Sequence, residues 1–331
     1  MHTDSDASGV APVTCYDVAS ALWQGARPYQ EDSLLQEFPD GMPCGYVVLA
    51  DGMGGHAAGD VASRLAVETV SDGLSGAIRG GTAFESQIAD HLSAAVRNAN
   101  QALADDAGSA TVSARIASTL VTAVLCDTRL YWTSVGDSPM YLWRNGSLHL
   151  LNEDHSMAPV IDRMVADGEL SADAARNHPD RNALTSVLVG ENIARIDLSA
   201  EGFDLLTGDV LIVASDGLQF LQTDQIVQIL AGFPAGSPSY DICKALLEGL
   251  QDLDDPYQDN VSICVLQPEL GSEAGQGEED EPDTRPLGQK EQAAAAAAEA
   301  AVTAQQEREA STGSRARSRL RSLSHRMKFW S

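Results

Sequence analysis

The sequence predicts an α+β fold built on antiparallel sheets, and three observations carry that expectation. Asn145-Gly146 joins the runs Met140–Trp143 and Leu148–Leu151, and both residues accept the positive φ of a type I′ hairpin turn, so this block is antiparallel. Val61, Leu65, Val70, Leu74 and Ile78 recur at helical spacing up to Gly80-Gly81, and Phe84, Ile88, Leu92, Val96, Ala99 and Leu103 repeat the pattern in a second helix. Short apolar runs that end in an aspartate, Tyr46–Ala50 before Asp51-Gly52 and Asp209–Ala214 before Ser215-Asp216-Gly217, read as strands.

The other elements follow in order. Residues 1–12 read as a disordered start and residues 13–268 as the folded domain. Asp17–Trp23 is a strand, separated from Tyr46–Ala50 by Arg27-Pro-Tyr-Gln-Glu31-Asp32 and a turn at Pro39-Asp40-Gly41. Strands are expected at Thr119–Cys126, Leu130–Val135 and Leu184–Leu188, and from Val261 to Leu266 directly after Asp259-Asn260. Helices are expected at Thr223–Leu230, with Thr223 as N-cap, and at Ser239–Leu253. Ala158–Pro179 is polar and helical, an insertion suited to a lid. Residues 269–331 read as an acidic glycine-rich linker, an alanine tract and a basic tail.

Composition narrows the function. The 331 residues are 44% apolar, enough for a sizeable core, and the net charge of −27 sets an acidic body against nucleic acid. Cys15, Cys44, Cys126, Cys243 and Cys264 are scattered without a C-x-x-C pair and read as core thiols of a reducing cytoplasm. With no basic-then-apolar leader and no run near the roughly 20 apolar residues of a span, the expectation is a cytoplasmic enzyme or regulator.

Asp51 admits two chemistries. Gly52-Met-Gly-Gly-His-Ala57 satisfies the dinucleotide fingerprint of an oxidoreductase, but Asp51 would set a negative charge beside the pyrophosphate. As a metal ligand, Asp51 should have companions, and Asp137, Asp216 and Asp259 all stand at strand ends that can meet at one edge of a sandwich. Oxygen-only ligands select hard ions, Mg²⁺ or Mn²⁺. An Asp before Gly is commonly a plain turn. That account would have to hold for Arg27, Glu31, Asp32, Asp51, Asp137, Asp216 and Asp259 together.

These residues carry a resemblance to the metal-dependent PP2C (PPM) family of protein serine/threonine phosphatases, in particular its bacterial branch. Its marks are Arg27-x-x-x-Glu31-Asp32, Asp51-Gly52-Met53-Gly54-Gly55, Gly136-Asp137-Ser138, Asp154-His155-Ser156, Ser215-Asp216-Gly217 and Asp259-Asn260, in family order across Tyr16–Gln267. The resemblance implies a β-sandwich of two antiparallel sheets flanked by helix pairs, with a flap insertion at Ala158–Pro179. It also implies two Mg²⁺ or Mn²⁺ ions: Asp51 bridges them, the Gly52 carbonyl completes one site, Asp216 and Asp259 complete the other, and Glu31 and Asp32 orient bound waters. A third, weaker site would fall on Asp137 and Asp216. The reaction implied is hydrolysis of phospho-Ser/Thr by metal-bound hydroxide, with Arg27 holding the phosphate through its planar fork.

His56 is the candidate general acid, because Met53 stands where many eukaryotic relatives carry His; His155 is expected to be structural. Leu184-Thr-Ser also departs from relatives that place Arg after Thr. The implied partners are phosphorylated proteins opposite a Ser/Thr kinase, with the phosphatase a monomer. In the tail, Leu320, Leu323, Met327 and Trp330 share one helical face, a pattern suited to weak contact with an anionic membrane or an acidic partner through residues 314–331. The alternative function, a non-catalytic phosphoprotein-binding regulator on the same fold, would be expected to have lost metal aspartates.

Overall fold

The structure, a computed structural model, describes residues 15–39, 41–54, 57–80, 83–109 and 116–269. Its strands are β1 Cys15–Trp23, β2 Asp32–Glu37, β3 Cys44–Met53, β4 Ala117–Ser118, β5 Leu120–Cys126, β6 Arg129–Val135, β7 Met140–Arg144, β8 Ser147–Leu150, β9 Asp197–Asp204, β10 Val210–Ala214 and β11 Val261–Glu269. The helices are α1 Ala57–Arg79, α2 Ile88–Ser109, α3 Ala158–Ala166, α4 Ala172–Arg176, α5 Thr223–Ala231 and α6 Ser239–Asp252.

Two sheets form, in the orders β1-β11-β10-β7-β8 and β2-β3-β5-β6-β9, with β4 on β3. Every strand pair among the described residues is antiparallel, including both neighbours of β3, so the glycine run after Asp51 lacks the parallel setting of a dinucleotide site. Period-two alternation explains the layers. Along β3, Val47 and Leu49 enter the core between the sheets, while Tyr46, Val48 and Ala50 face α1 and α2. Along β10, Leu211 and Val213 point inward, and Val210, Ile212 and Ala214 pack with α5 and α6. Both faces of each central strand are therefore apolar, and the layers stack helix, sheet, sheet, helix.

The hairpin forms as expected, with Asn145 at φ 52° and Gly146 at φ 77°. Several expectations need correction. The strand bearing Asp51 does not end there, because β4 pairs with Gly52 and Met53 and carries it two residues further. Leu184–Leu188 makes only isolated bridges, from Leu184 to Ser156 and from Leu188 to Ser118. The N-cap of α5 is Gln222, which shares a reciprocal capping box with Gln225, and Thr223 lies inside the helix. Cys44 and Cys126 are not free thiols: they face each other across β3 and β5 and form a disulfide, whereas Cys243 and Cys264 are buried and free. Pairing of adjacent strands brings together residues 82 apart in the chain, which spacing rules cannot show. No described helix is long and apolar enough to cross a membrane.

Candidate metal centre

Antiparallel pairing brings the ends of β1, β3, β6 and β10 and the starts of β2, β5 and β11 to one edge of the sandwich. Asp32 opens β2 directly opposite Asp51 of β3. It is only 5% exposed, and its Oδ2 accepts a 2.7 Å hydrogen bond from the Ser215 hydroxyl, which itself accepts from the Ser262 amide at 2.9 Å. The sheets are thus stitched together where the carboxylates lie. The other oxygen of Asp32 is buried and takes no well-aligned hydrogen bond, a costly state for a carboxylate unless a cation faces it.

Burial, and after it mutual repulsion, sets the electrostatics. Burial, with the charges of Asp216 and Asp259, pushes Asp32 up to about 7 against the pull of the Ser215 and Ser262 hydroxyls. Burial and then Asp32, Asp216, Asp137 and Asp259 hold Asp51 well above the usual carboxylate range. Asp137 is pushed up to about 7 by burial, Asp216 and Asp154, and Asp216 to about 6 by burial and Asp259, opposed by Arg27 and by a hydrogen bond with Asp51. Asp259, at the rim, accepts from Arg27 Nη2 at 2.5 Å. The Arg27 side chain is 49% exposed, so its remaining donors can reach an incoming anion.

Close backbone approaches set these positions. A Cβ on Gly52 would lie 1.9 Å from the Gly59 carbonyl, and one on Gly59 would lie 2.5 Å from Glu31 Oε1. The two glycines therefore let the start of α1 press Glu31 against β3, where the Gly52 amide donates to the Glu31 carbonyl at 3.0 Å. Behind Asp137, Gly136 sits at φ 109° and is bracketed by His155, whose Nδ1 accepts from the Gly136 amide at 3.2 Å and whose own amide donates to the Gly136 carbonyl at 3.0 Å. His155 is buried, and burial lowers its pKa, in keeping with a structural histidine.

The structure thus gathers Arg27, Glu31, Asp32, Asp51, Gly52, Asp137, Asp216 and Asp259 at one edge. His56 lies outside the described residues, as do the linker and tail. Among the described residues no three His, Cys or acidic side chains form a ready-made metal cage. Hard divalent ions of the Mg²⁺ type keep several waters and take only one or two carboxylates each, so a cage is not required.

A family model described as protein phosphatase 2C matches residues 27–250. The chain belongs to the protein phosphatase 2C family. It is 37% identical over 227 residues to the serine/threonine phosphatase stp of Listeria monocytogenes, a match covering 68% of this chain and 84% of that one. The same identity holds over 172 residues of the Listeria welshimeri stp, covering 52% of this chain and 66% of that protein. The solved catalytic domain of the serine threonine protein phosphatase PstP, in complex with two manganese ions, superposes with a TM-score of 0.60 at 25% identity, covering 77% of this chain and 99% of the domain. The chain is a phosphoprotein serine/threonine phosphatase of the metal-dependent kind. Its site fits that chemistry: the donors are all oxygen, the carboxylates repel one another, and a buried Asp32 oxygen takes no well-aligned hydrogen bond.

This phosphatase 2C centre also uses residues to which sequence reasoning gave no role. Asn260 is buried; its Oδ1 accepts from the Glu31 amide at 2.8 Å, and its Nδ2 donates to the Gln24 carbonyl at 2.8 Å and the Tyr29 carbonyl at 2.9 Å. It holds the loop that carries Arg27 and Glu31. Thr119 accepts from the Asp51 amide at 2.9 Å and pairs with the Ser138 hydroxyl at 2.9 Å, linking Asp51 to the Asp137 turn. Asn260 and Ser215 each adjoin a candidate ligand in the chain, which was the available signal; Thr119 had none.

Proposed function

We propose that Asp51, Asp216 and Asp259, together with Glu31, Asp32 and the Gly52 carbonyl, hold two Mg²⁺ or Mn²⁺ ions, with Asp137 and Asp216 able to take a third. The observation that carries this reading is the gathering of buried Asp32 and half-buried Asp51, Asp137 and Asp216 at one edge, each raised by burial and by its neighbours' charges. When bound, such ions neutralise phosphoryl oxygens and supply an acidified water near neutral pH. The manganese-bound PstP domain supports the choice of ion.

The chain's own groups do the rest. Arg27 binds the phosphate of a phosphoserine or phosphothreonine, held in place by Asp259 on one side and by the Asn260-locked loop behind it. Asp32, anchored by Ser215, fixes the orientation of water at the site. His56 is assigned, on sequence alone, the proton delivered to the leaving oxygen. Substrates are phosphoproteins, and opposition to a Ser/Thr kinase, a monomeric state and a peripheral membrane contact through residues 314–331 belong to the same proposal.

Phosphate release from a phosphoserine peptide, with Mn²⁺ and with chelator, tests it. Turnover should need the metal, and Asp216→Ala should lower it by about a hundredfold or more. Equal turnover in chelator, or full activity of Asp216→Ala, would refute the assignment. Phosphopeptide binding with no turnover under any metal condition would favour the non-catalytic alternative.

A further inference from the structure

Two stretches flanking the centre share a short pattern: Arg27-Pro28-Tyr29-Gln30-Glu31 and Asp255-Pro256-Tyr257-Gln258-Asp259. In each, Pro-Tyr-Gln leads directly into an acid assigned to the metals. The glutamines brace the backbone from within. Gln30 Oε1 accepts from the Asp32 amide at 3.0 Å, and the buried Gln258 donates to the Gly217 carbonyl at 3.1 Å. The loops are also tied to each other, by the Ala26 amide on the Gln258 carbonyl at 2.8 Å and by Arg27 on Asp259. A Cβ on Gly25 would lie 2.3 Å from the Asp259 carbonyl, so the two backbones run in contact.

The tyrosines between these braces are exposed, Tyr29 at 52% and Tyr257 at 82%, the latter the most open of the large apolar or aromatic side chains among the described residues. Folding gains little from a ring as open to water as that of Tyr257, whereas a ring on a braced loop beside a site is well suited to gripping a partner. Tyr257 stands on a stretch with Asp252 and Asp254, both exposed, and Asp255, whose Oδ1 accepts from the Tyr257 amide at 2.8 Å. An aromatic face in an acidic field attracts a cation.

We infer that Tyr29 and Tyr257 form an aromatic rim that grips the substrate chain beside the phosphoresidue, and that Tyr257 selects an arginine or lysine there. The inference rests on the phosphatase reading of the site, and it makes the tyrosines binding residues for the protein substrate with no part in phosphate chemistry.

The test uses the full chain with Mn²⁺ and three substrates: a phosphoserine peptide with an Arg flank, the same peptide with a Glu flank, and free phosphoserine. Wild type should favour the Arg peptide. Tyr257→Ala should lower kcat/KM on it about three- to fivefold, through KM, the size of an exposed cation–π contact. The Glu peptide should lose clearly less than the Arg peptide, free phosphoserine should be unaffected, and Tyr257→Phe should restore most of the loss. Tyr29→Ala should weaken both peptides and spare free phosphoserine. If the variants slow free phosphoserine as much as the peptides, or leave the Arg peptide untouched, the rim is not a substrate grip. Wild type inert toward all three substrates would instead overturn the phosphatase reading itself.

Discussion

At the scale of single residues, the centre is a set of carboxylates kept together against their own repulsion. Asp32 and Asp137 sit near 7 and Asp216 near 6, all above the ordinary 3.8. A raised carboxylate pKa means that the folded chain binds protons more readily than the unfolded one between these values, so its contribution to stability is present at low pH and is lost as pH rises through 6 to 7. Metal-stripped protein should therefore lose stability relative to Mn²⁺-loaded protein on going from pH 5.5 to 7.5, and thermal melts of the two forms across that range, taken as about two pH units, measure it. A gap in Tm that stays constant with pH would show that the carboxylates do not titrate as a cluster. Asn260 invites a second measurement. Asn260→Ala removes three hydrogen bonds and strands the Glu31 amide, so it should cost about 2 kcal/mol in urea unfolding and raise KM for phosphopeptide, since Arg27 rides on the same loop.

At the scale of elements, most strands were legible, the edge strands β1 and β8 among them, while β2 and β9 were not. β3, β5, β6, β10 and β11 are apolar on both faces and declare themselves as short hydrophobic runs. β2, Asp-Ser-Leu-Leu-Gln-Glu, has no β-branched residue, and β9 carries Gly202 at φ 76° beside a bulge opposite Leu130 and Trp132; both lie at sheet edges, where only a few apolar side chains such as Leu34, Leu35 and Phe203 reach the cores. The meeting of the carboxylates was legible because aspartates at strand ends, Asp51 and Asp216 each before glycine, are visible in the chain, yet the packing role of those glycines was not. Gly52 was expected to free its carbonyl for an ion, and the structure adds that its missing side chain makes room for Gly59. Gly217 repeats the device, since a Cβ there would lie 2.0 Å from the Asn260 carbonyl. Gly217→Ala should accordingly destabilise the fold by about 2 to 3 kcal/mol or more and lower Mn²⁺ affinity, because backbone cannot retreat as a flexible side chain can. Calorimetric titration of Mn²⁺ into that variant, compared with wild type, reads the second effect.

At the scale of the whole molecule, one group of the proposed ligands belongs to each sheet: Asp32, Asp51 and Asp137 to the sheet under α1 and α2, Asp216 and Asp259 to the sheet under α5 and α6. Ions bound there should stabilise the folded chain by mass action, about 2.7 kcal/mol at a hundred times the dissociation constant, which for a domain of this size is a rise of several degrees in Tm. A melt unaffected by Mn²⁺ would contradict shared ligation. The apolar packing between the sheets then acquires a second task. Leu211, Val213, Met140 and Trp132 pack in the core between the sheets, the layer that sets the gap across which the two halves of the centre face one another. With ions held as proposed, the hydrophobic interior would act as their spacer gauge, and removing a methyl group far from any charge should shift Mn²⁺ affinity.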